Sequence, residues 1–349
     1  MHTTLRFAIA LAGIAITGAC SREAANRPAD SSAPDTISSA AVAPAELAVF
    51  ATLPAEMVAD EHPVTDSKVA LGRRLYYETV LSQGHDLSCN TCHPLNGWGA
   101  DGRPVSFGHE GKAGNRNAPT VYNAAGHLAQ FWDGRAADVE TQAKGPILNP
   151  IEMGMLDSAA VLEHLRNSAE YVAAFLKAFP EERQPVTYDN VGHAIGSFER
   201  RLVTPSRWDA FLQGDSAALT ADEQRGLRTF LSAGCQSCHN GPYLGGNSFQ
   251  KVGAVNAWPS QADSGRFAVT KDPKDLFVFK VPSLRNIEKT APYFHDGSVT
   301  SLDEAVRLMA YHQLGKTLGP SQLGAIVTWL RSLTGDIPTD YIALPQQPK

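Results

Sequence analysis

Cys89-Asn90-Thr91-Cys92-His93 and Cys235-Gln236-Ser237-Cys238-His239 are two copies of one frame, and together they use four of the five cysteines in 349 residues. A Cys-x-x-Cys-His run is the attachment signature of c-type haem. The chemistry explains the spacing: two thiols add to the vinyl groups on one porphyrin edge, and the adjacent imidazole reaches beneath the ring to an axial position on iron. Zinc would need further Cys or His in matching pairs, and neither frame has a second Cys-x-x-Cys beside it. A thioredoxin-like pair needs no histidine and follows a strand in a βαβ pattern. The expectation is two covalently bound haem c groups, one on Cys89 and Cys92, the other on Cys235 and Cys238. His93 and His239 are their proximal ligands.

Working outward, each frame follows an amphipathic stretch. Asp66 to Glu78 sets Val69, Leu71, Leu75 and Tyr76 at helical spacing. Thr220 and Glu223 make a capping box ahead of Leu227, Phe230 and Leu231. Downstream, Ala118-Pro119-Thr120-Val121-Tyr122-Asn123 reappears as Val281-Pro282-Ser283-Leu284-Arg285-Asn286. Phe131-Trp132-Asp133-Gly134 reappears as Phe294-His295-Asp296-Gly297. Positions 118 and 281 differ by 163, as do 131 and 294, so the repeat holds one register. A helix leading into an attachment loop, with a later helix packed across it, resembles the cytochrome c fold. The expected class is all-α: two tandem cytochrome c-like haem domains with long loops, over 46–205 and 206–345.

Composition agrees with a folded, exported protein. It is 43% hydrophobic and 19% charged, with 29 Gly and 22 Pro, and its net charge of −6 gives no basic footprint for nucleic acid. Residues 7–19 form an apolar run after Arg6, too short to span a bilayer as a helix, and read as the core of a signal peptide over 1–19. Thr17 and Ala19 suit an ordinary signal peptidase. Cys20 offers the alternative of lipidation, which would remove a lone thiol from an oxidising compartment. Residues 20–45 read as a flexible tether. The expected location is the periplasm, with Cys20 as an optional lipid anchor.

The two halves differ where the sixth iron ligand belongs. The segment Thr300 to Leu314 reads as a helix opened by a Ser301/Glu304 capping box, with Leu302, Val306 and Met309 on one face. Met309 is the candidate distal ligand of the second haem; a thioether there raises the potential and closes the iron to small molecules. Its counterpart 163 residues earlier is Pro146, which cannot ligate. The first haem therefore has an open distal side or takes a ligand from elsewhere. His109, in the Gly/Asn-rich stretch Ser106 to Asn117, is the best local donor, with Met153 and Met155 as rivals. An open haem that reduces peroxide needs a distal acid–base group. Glu152 and Gln142 follow the Asp-Gly turn of the repeat and are candidates, although spacing alone leaves either as an ordinary surface residue.

These residues together resemble the bacterial dihaem cytochrome c peroxidases, from about Leu47 to Gly335. The most specific blocks are Arg116 to Thr120, Gln130 to Arg135, Gln142 to Pro146 with Ile151-Glu152-Met153, and Thr290 to Ser298. The resemblance implies that the haem of His93 is the low-potential, peroxidatic one, with His109 as its removable distal ligand. Gln142 and Glu152 would line the peroxide pocket, and Trp132 would lie between the haems on the electron route. The haem of His239 and Met309 would be the high-potential, electron-accepting one. A calcium ion is implied at Asn117, Thr290 and Pro292, the last two through backbone carbonyls. Implied partners are hydrogen peroxide, a donor cytochrome c or small copper protein (a cupredoxin), and a second copy in a homodimer. Two other readings are a dihaem electron carrier without peroxidase activity and a partner-oxidising enzyme on the same scaffold. The latter uses tyrosine as the second haem's distal ligand, which Met309 argues against. His62, His85, His127, His164, His193 and His312 read as surface or hydrogen-bonding residues, and His295, which replaces Trp132 in the repeat, as a supporting or interface residue.

Overall fold

A computed structural model describes residues 35–37 and 42–345, so the signal segment, Cys20 and most of the tether lie outside the described residues. The chain is predominantly helical. The helices that position the site are α1 (Asp66–Tyr76), α2 (Val139–Leu148), α3 (Ser158–Arg166), α4 (Ala169–Ala178), α5 (Tyr188–Glu199), α6 (Ala221–Ala233), α7 (Leu302–Leu314) and α8 (Pro320–Arg331). One small antiparallel sheet supplements them, β1 (Phe249–Lys251) with β2 (Val278–Lys280), in the register Phe249↔Lys280 and Lys251↔Val278. Three-residue strands are too short to show a period of two, so an all-α expectation missed them. Among the described residues, no helix is long and apolar enough to cross a membrane.

Helix boundaries follow local chemistry. Thr65 caps α1 by accepting from the Lys68 amide, and α1 buries Val69, Leu71, Leu75 and Tyr76. The Thr220/Glu223 box forms on α6, and Gly234, at φ 93°, stops that helix and turns the chain into Cys235. Ser301 caps α7 as expected, but the reciprocal half of its box does not form. The Glu304 carboxylate binds Arg307 one turn on, at 2.6 Å through each oxygen, in place of the Ser301 amide.

Of the three apolar clusters among the described residues, the two larger form most of the core. One gathers Leu71, Leu75, Tyr76, Phe175 and Phe198. The other gathers Trp208, Leu227, Phe230, Trp329 and Leu330. Each such side chain contributes roughly 1.5–3 kcal/mol when fully buried. The ends of the chain cross over: Phe50 packs into the second cluster and Ile342 into the first. Both clusters depend on one kind of helix crossing. A Cβ on Gly72 of α1 would overlap the Ala194 carbonyl of α5, and a Cβ on Gly226 of α6 would overlap the Ala325 carbonyl of α8.

The sequence repeat is carried by the backbone. Asp138 caps α2 and Ser301 caps α7, again 163 residues apart. Asn123 and Asn286 both adopt left-handed conformations, at φ 61° and 60°, a region asparagine tolerates better than most residues. Phe131 and Phe294 do so at 65° and 68°, and the isolated bridges Gln130↔Ala136 and Tyr293↔Val299 match as well. The side chains of Asn123 and Asn286 both donate to the fully buried Thr204 hydroxyl at 2.8 Å. Tyr188 and Pro320, which open α5 and α8, differ by 132 rather than 163. The missing 31 residues correspond to α3 and α4, found in the first half alone.

Candidate active site

Cys89–Cys92 forms one helical turn, and Cys235–Ser237 a tighter 3-10 turn. Each delivers a histidine whose Nδ1 faces a backbone carbonyl: His93 to Gly99 at 3.2 Å, His239 to Leu244 at 3.1 Å. The Nδ1–H donates there, which leaves Nε2 as the free ligand atom. Burial lowers both imidazole pKa values against the opposing pull of those carbonyls, so the rings stay neutral, as a metal ligand must. The carbonyls of Pro119 and Pro282, equivalent under the repeat, act on the same two rings. In the sequence these two prolines mark only the repeat, and nothing local announces this role. Burial pushes the Cys89 and Cys235 thiols up to about 12, and the four described cysteines form no disulfide. Reactive Cys-x-x-Cys pairs have lowered values, so these frames lack the character of a thiol–disulfide centre.

The second frame opens on an apolar cleft of about 1840 Å³, counting space open to solvent. Cys235, Cys238, His239 and Met309 all line it, with walls from Phe230, Val306, Leu318, Ile326 and Leu330. Thiols, a free imidazole nitrogen and a thioether amid apolar walls fit a flat macrocycle with a ligated metal. First-half residues reach the same cleft. Trp132 lines it and donates from Nε1 to the Asn117 carbonyl at 2.9 Å. Asn117, Thr290 and Pro292 are also brought to this lining. The Asn117 amide nitrogen is taken by the Arg103 carbonyl at 2.9 Å, and its Oδ1 accepts no hydrogen bond among the described residues. His295 is buried and stacks on Phe279 at 4.2 Å, while its carbonyl accepts from the Asn117 amide.

The first half is built differently. Pro146 holds the register of Met309 inside α2, and Gln142, half-buried, stands four residues before it. His109 sits on a short turn at Gly108–Gly111, where Glu110 is left-handed at φ 57°. Its amide donates to the Glu152 carbonyl at 2.7 Å. A side chain on Gly108 would collide with the Ile151 and Glu152 carbonyls, and one on Gly154 would meet the His109 ring at 2.7 Å. These glycines let the two segments lie in contact. Burial raises the Glu152 carboxyl above the ordinary range, opposed by the Arg135 charge and a hydrogen bond from Asn149. The Glu152 charge is felt at Cys92. His109, Glu152 and the first attachment frame thus share one neighbourhood. Met153 and Met155, the rival ligands, are buried in the first apolar cluster. No hydrogen bond among the described residues ties Gln142 to Glu152. Arg135 and Asn149 were not foreseen, although Arg135 closes the Gln130 to Arg135 block.

The chain is similar to known proteins over most of its length. The family model for di-haem cytochrome c peroxidase matches residues 66–217. The chain is 47% identical over 290 residues to the cytochrome c551 peroxidase of Pseudomonas aeruginosa, covering 81% of this chain and 83% of that protein. It is 43% identical over 278 residues to the cytochrome c551 peroxidase of Nitrosomonas europaea, covering 79% and 82%. A solved structure of a MauG-like protein associated with microbial copper homeostasis matches at a TM-score of 0.75 and 31% identity, covering 84% of this chain and 97% of that one. The chain belongs to the di-haem cytochrome c peroxidase family.

Proposed function

We propose that the protein reduces hydrogen peroxide to two waters in the periplasm, with two protons and two electrons supplied by a reduced cytochrome c or cupredoxin. The observation that carries this reading is the inequality of the two halves. Met309 lines the cleft of His239, whereas Pro146 stands in its place in the first half and a glycine-flanked turn sets His109 on the Glu152 segment. In this reading, residues 46–205 and 206–345 are cytochrome c-like domains, 1–19 is removed on export, and the 20–45 tether carries an optional lipid on Cys20. Assembly as a homodimer belongs to the same proposal.

Each haem, when bound, supplies an iron that exchanges electrons, and the first also offers a site where the O–O bond is cleaved. His93 and His239 present neutral Nε2 atoms as ligands. Met309 closes the second site to peroxide. His109 would hold the first haem on its distal side, and the glycine-flanked turn at Gly108–Gly111 would let its ring move off that site. Glu152 moves a proton between the two peroxide oxygens, and its raised pKa keeps that proton available at higher pH than a free carboxyl would. Gln142 orients the peroxide by hydrogen bonding. Trp132, on the shared cleft wall, lies on the electron route between the halves. Asn117 Oδ1 with the Thr290 and Pro292 carbonyls offers hard, neutral oxygens for a calcium ion. The test is turnover of the two-haem protein with a reduced c-type cytochrome: two donor molecules oxidised per peroxide support the reading, and no peroxide-dependent oxidation overturns it.

A further inference from the structure

Lys280 on β2 is buried, and it lines the same cleft as Cys235, Cys238, His239 and Met309. Its Nζ donates to the Ala129 carbonyl at 2.8 Å and lies 3.3 Å from His127 Nδ1. Neither partner carries a negative charge. The acid whose charge it feels, Asp133, is already bound by Arg116 at 2.6 Å and Arg135 at 3.1 Å. Burial accordingly pushes the Lys280 ammonium down to about 7. His127 lines the cleft as well. With Nδ1 accepting from Lys280, its Nε2 carries the proton, yet that nitrogen is buried with no hydrogen-bond partner. A buried cation beside an orphaned donor is costly unless an anion faces both.

We infer that Lys280 Nζ and His127 Nε2 form the seat for a propionate carboxylate of the second haem. The inference rests on the proposed haem at His239. The chemistry is complementary: the cysteines take the vinyl edge of the macrocycle, and its carboxylates then need donors elsewhere in an otherwise apolar cleft. The two donors come from different halves, His127 from the first and Lys280 from the second. The seat therefore puts the second haem in contact with the 127–135 segment, which ends at Arg135, the cation acting on Glu152. Neither residue touches iron; both position the group and set its charge environment.

The test is a redox titration of the second haem in the two-haem protein. A cation beside the propionate favours the reduced form. Lys280→Met should therefore shift the reduction equilibrium at least about tenfold toward oxidised, a fall of about 59 mV for one electron. Lys280→Arg should keep the wild-type potential, and His127→Phe should lower it by less than Lys280→Met does. An unchanged potential in Lys280→Met, or an equal fall in Lys280→Arg, overturns the seat. If Lys280→Met does not accumulate with two haems, Lys280→Gln, which can retain the Ala129 hydrogen bond, is judged by the same criterion. A wild-type protein without a His/Met-ligated haem would defeat the underlying reading instead, and the starting spectrum shows that before any variant is titrated.

Discussion

Burial sets the proton affinity of Glu152. The loss of water that raises its proton affinity is what a group passing a proton between two oxygens requires. Replacing it with Gln keeps the shape and removes the titrating group, so kcat should fall roughly 10²–10⁴-fold, with haem content and reduced spectra unchanged. Near-normal turnover would remove Glu152 from the reaction. Glu199 is a second buried carboxyl, raised to about 8 from an ordinary 4.5 by burial and the nearby Glu140 charge, against Arg200. A folded-state value above the unfolded one means that folding takes up a proton between those limits. The stability this gives is complete below about pH 4.5 and is lost as pH rises toward 8. Glu199→Gln should flatten the decline of Tm across that window and exceed wild type at its upper end; parallel Tm curves would contradict this. Residues of this kind were not legible in the sequence. Arg200 binds Glu140 through both oxygens across 60 positions and Arg285 binds Asp209 across 76, and no local pattern announces such pairs. His127 looked bland because its burial is made by distant chain: a Cβ on Gly246 would collide with its ring.

The amphipathic helices could be read because their apolar period and caps lie within a few residues. Thr65, Thr220 and Ser301 start α1, α6 and α7. What periodicity cannot show is which of two partners a side chain chooses. Glu304 is positioned for a capping box and takes Arg307 instead, since a guanidinium offers two parallel charge-assisted hydrogen bonds where the amide offers one. The His109 turn is defined by contact with a segment some forty residues later, and only its glycines hint at that. Its proposed role as a gate gives a direct expectation. His109→Gly should give peroxidase activity in the fully oxidised enzyme, without the prior reduction that the proposed gate would impose on wild type. Full dependence on reduction in that variant would count against His109 as the gate.

The duplication was the most legible feature of the whole molecule, because a fixed offset needs no three-dimensional knowledge. The chain crossovers at Phe50 and Ile342, and the α3–α4 insertion, break that offset and came only with the structure. At the junction of the halves, Thr204 accepts from Asn123 and Asn286 at once. Thr204→Val leaves two buried amide donors unpaired and should destabilise the protein by about 1–3 kcal/mol for each; a denaturation midpoint equal to wild type would show that the contact does not join the halves energetically. The proposed function couples two unequal irons at this scale, which would require two states whose balance the second haem's oxidation state biases. The most direct measurement is visible and EPR spectroscopy of the oxidised and half-reduced two-haem protein, with and without calcium, followed by peroxide. The predicted result is a first haem that is six-coordinate when oxidised, opens when only the second haem is reduced, and then reacts with peroxide. Two irons that stay six-coordinate in both states, with a half-reduced spectrum unmoved by peroxide, would contradict it.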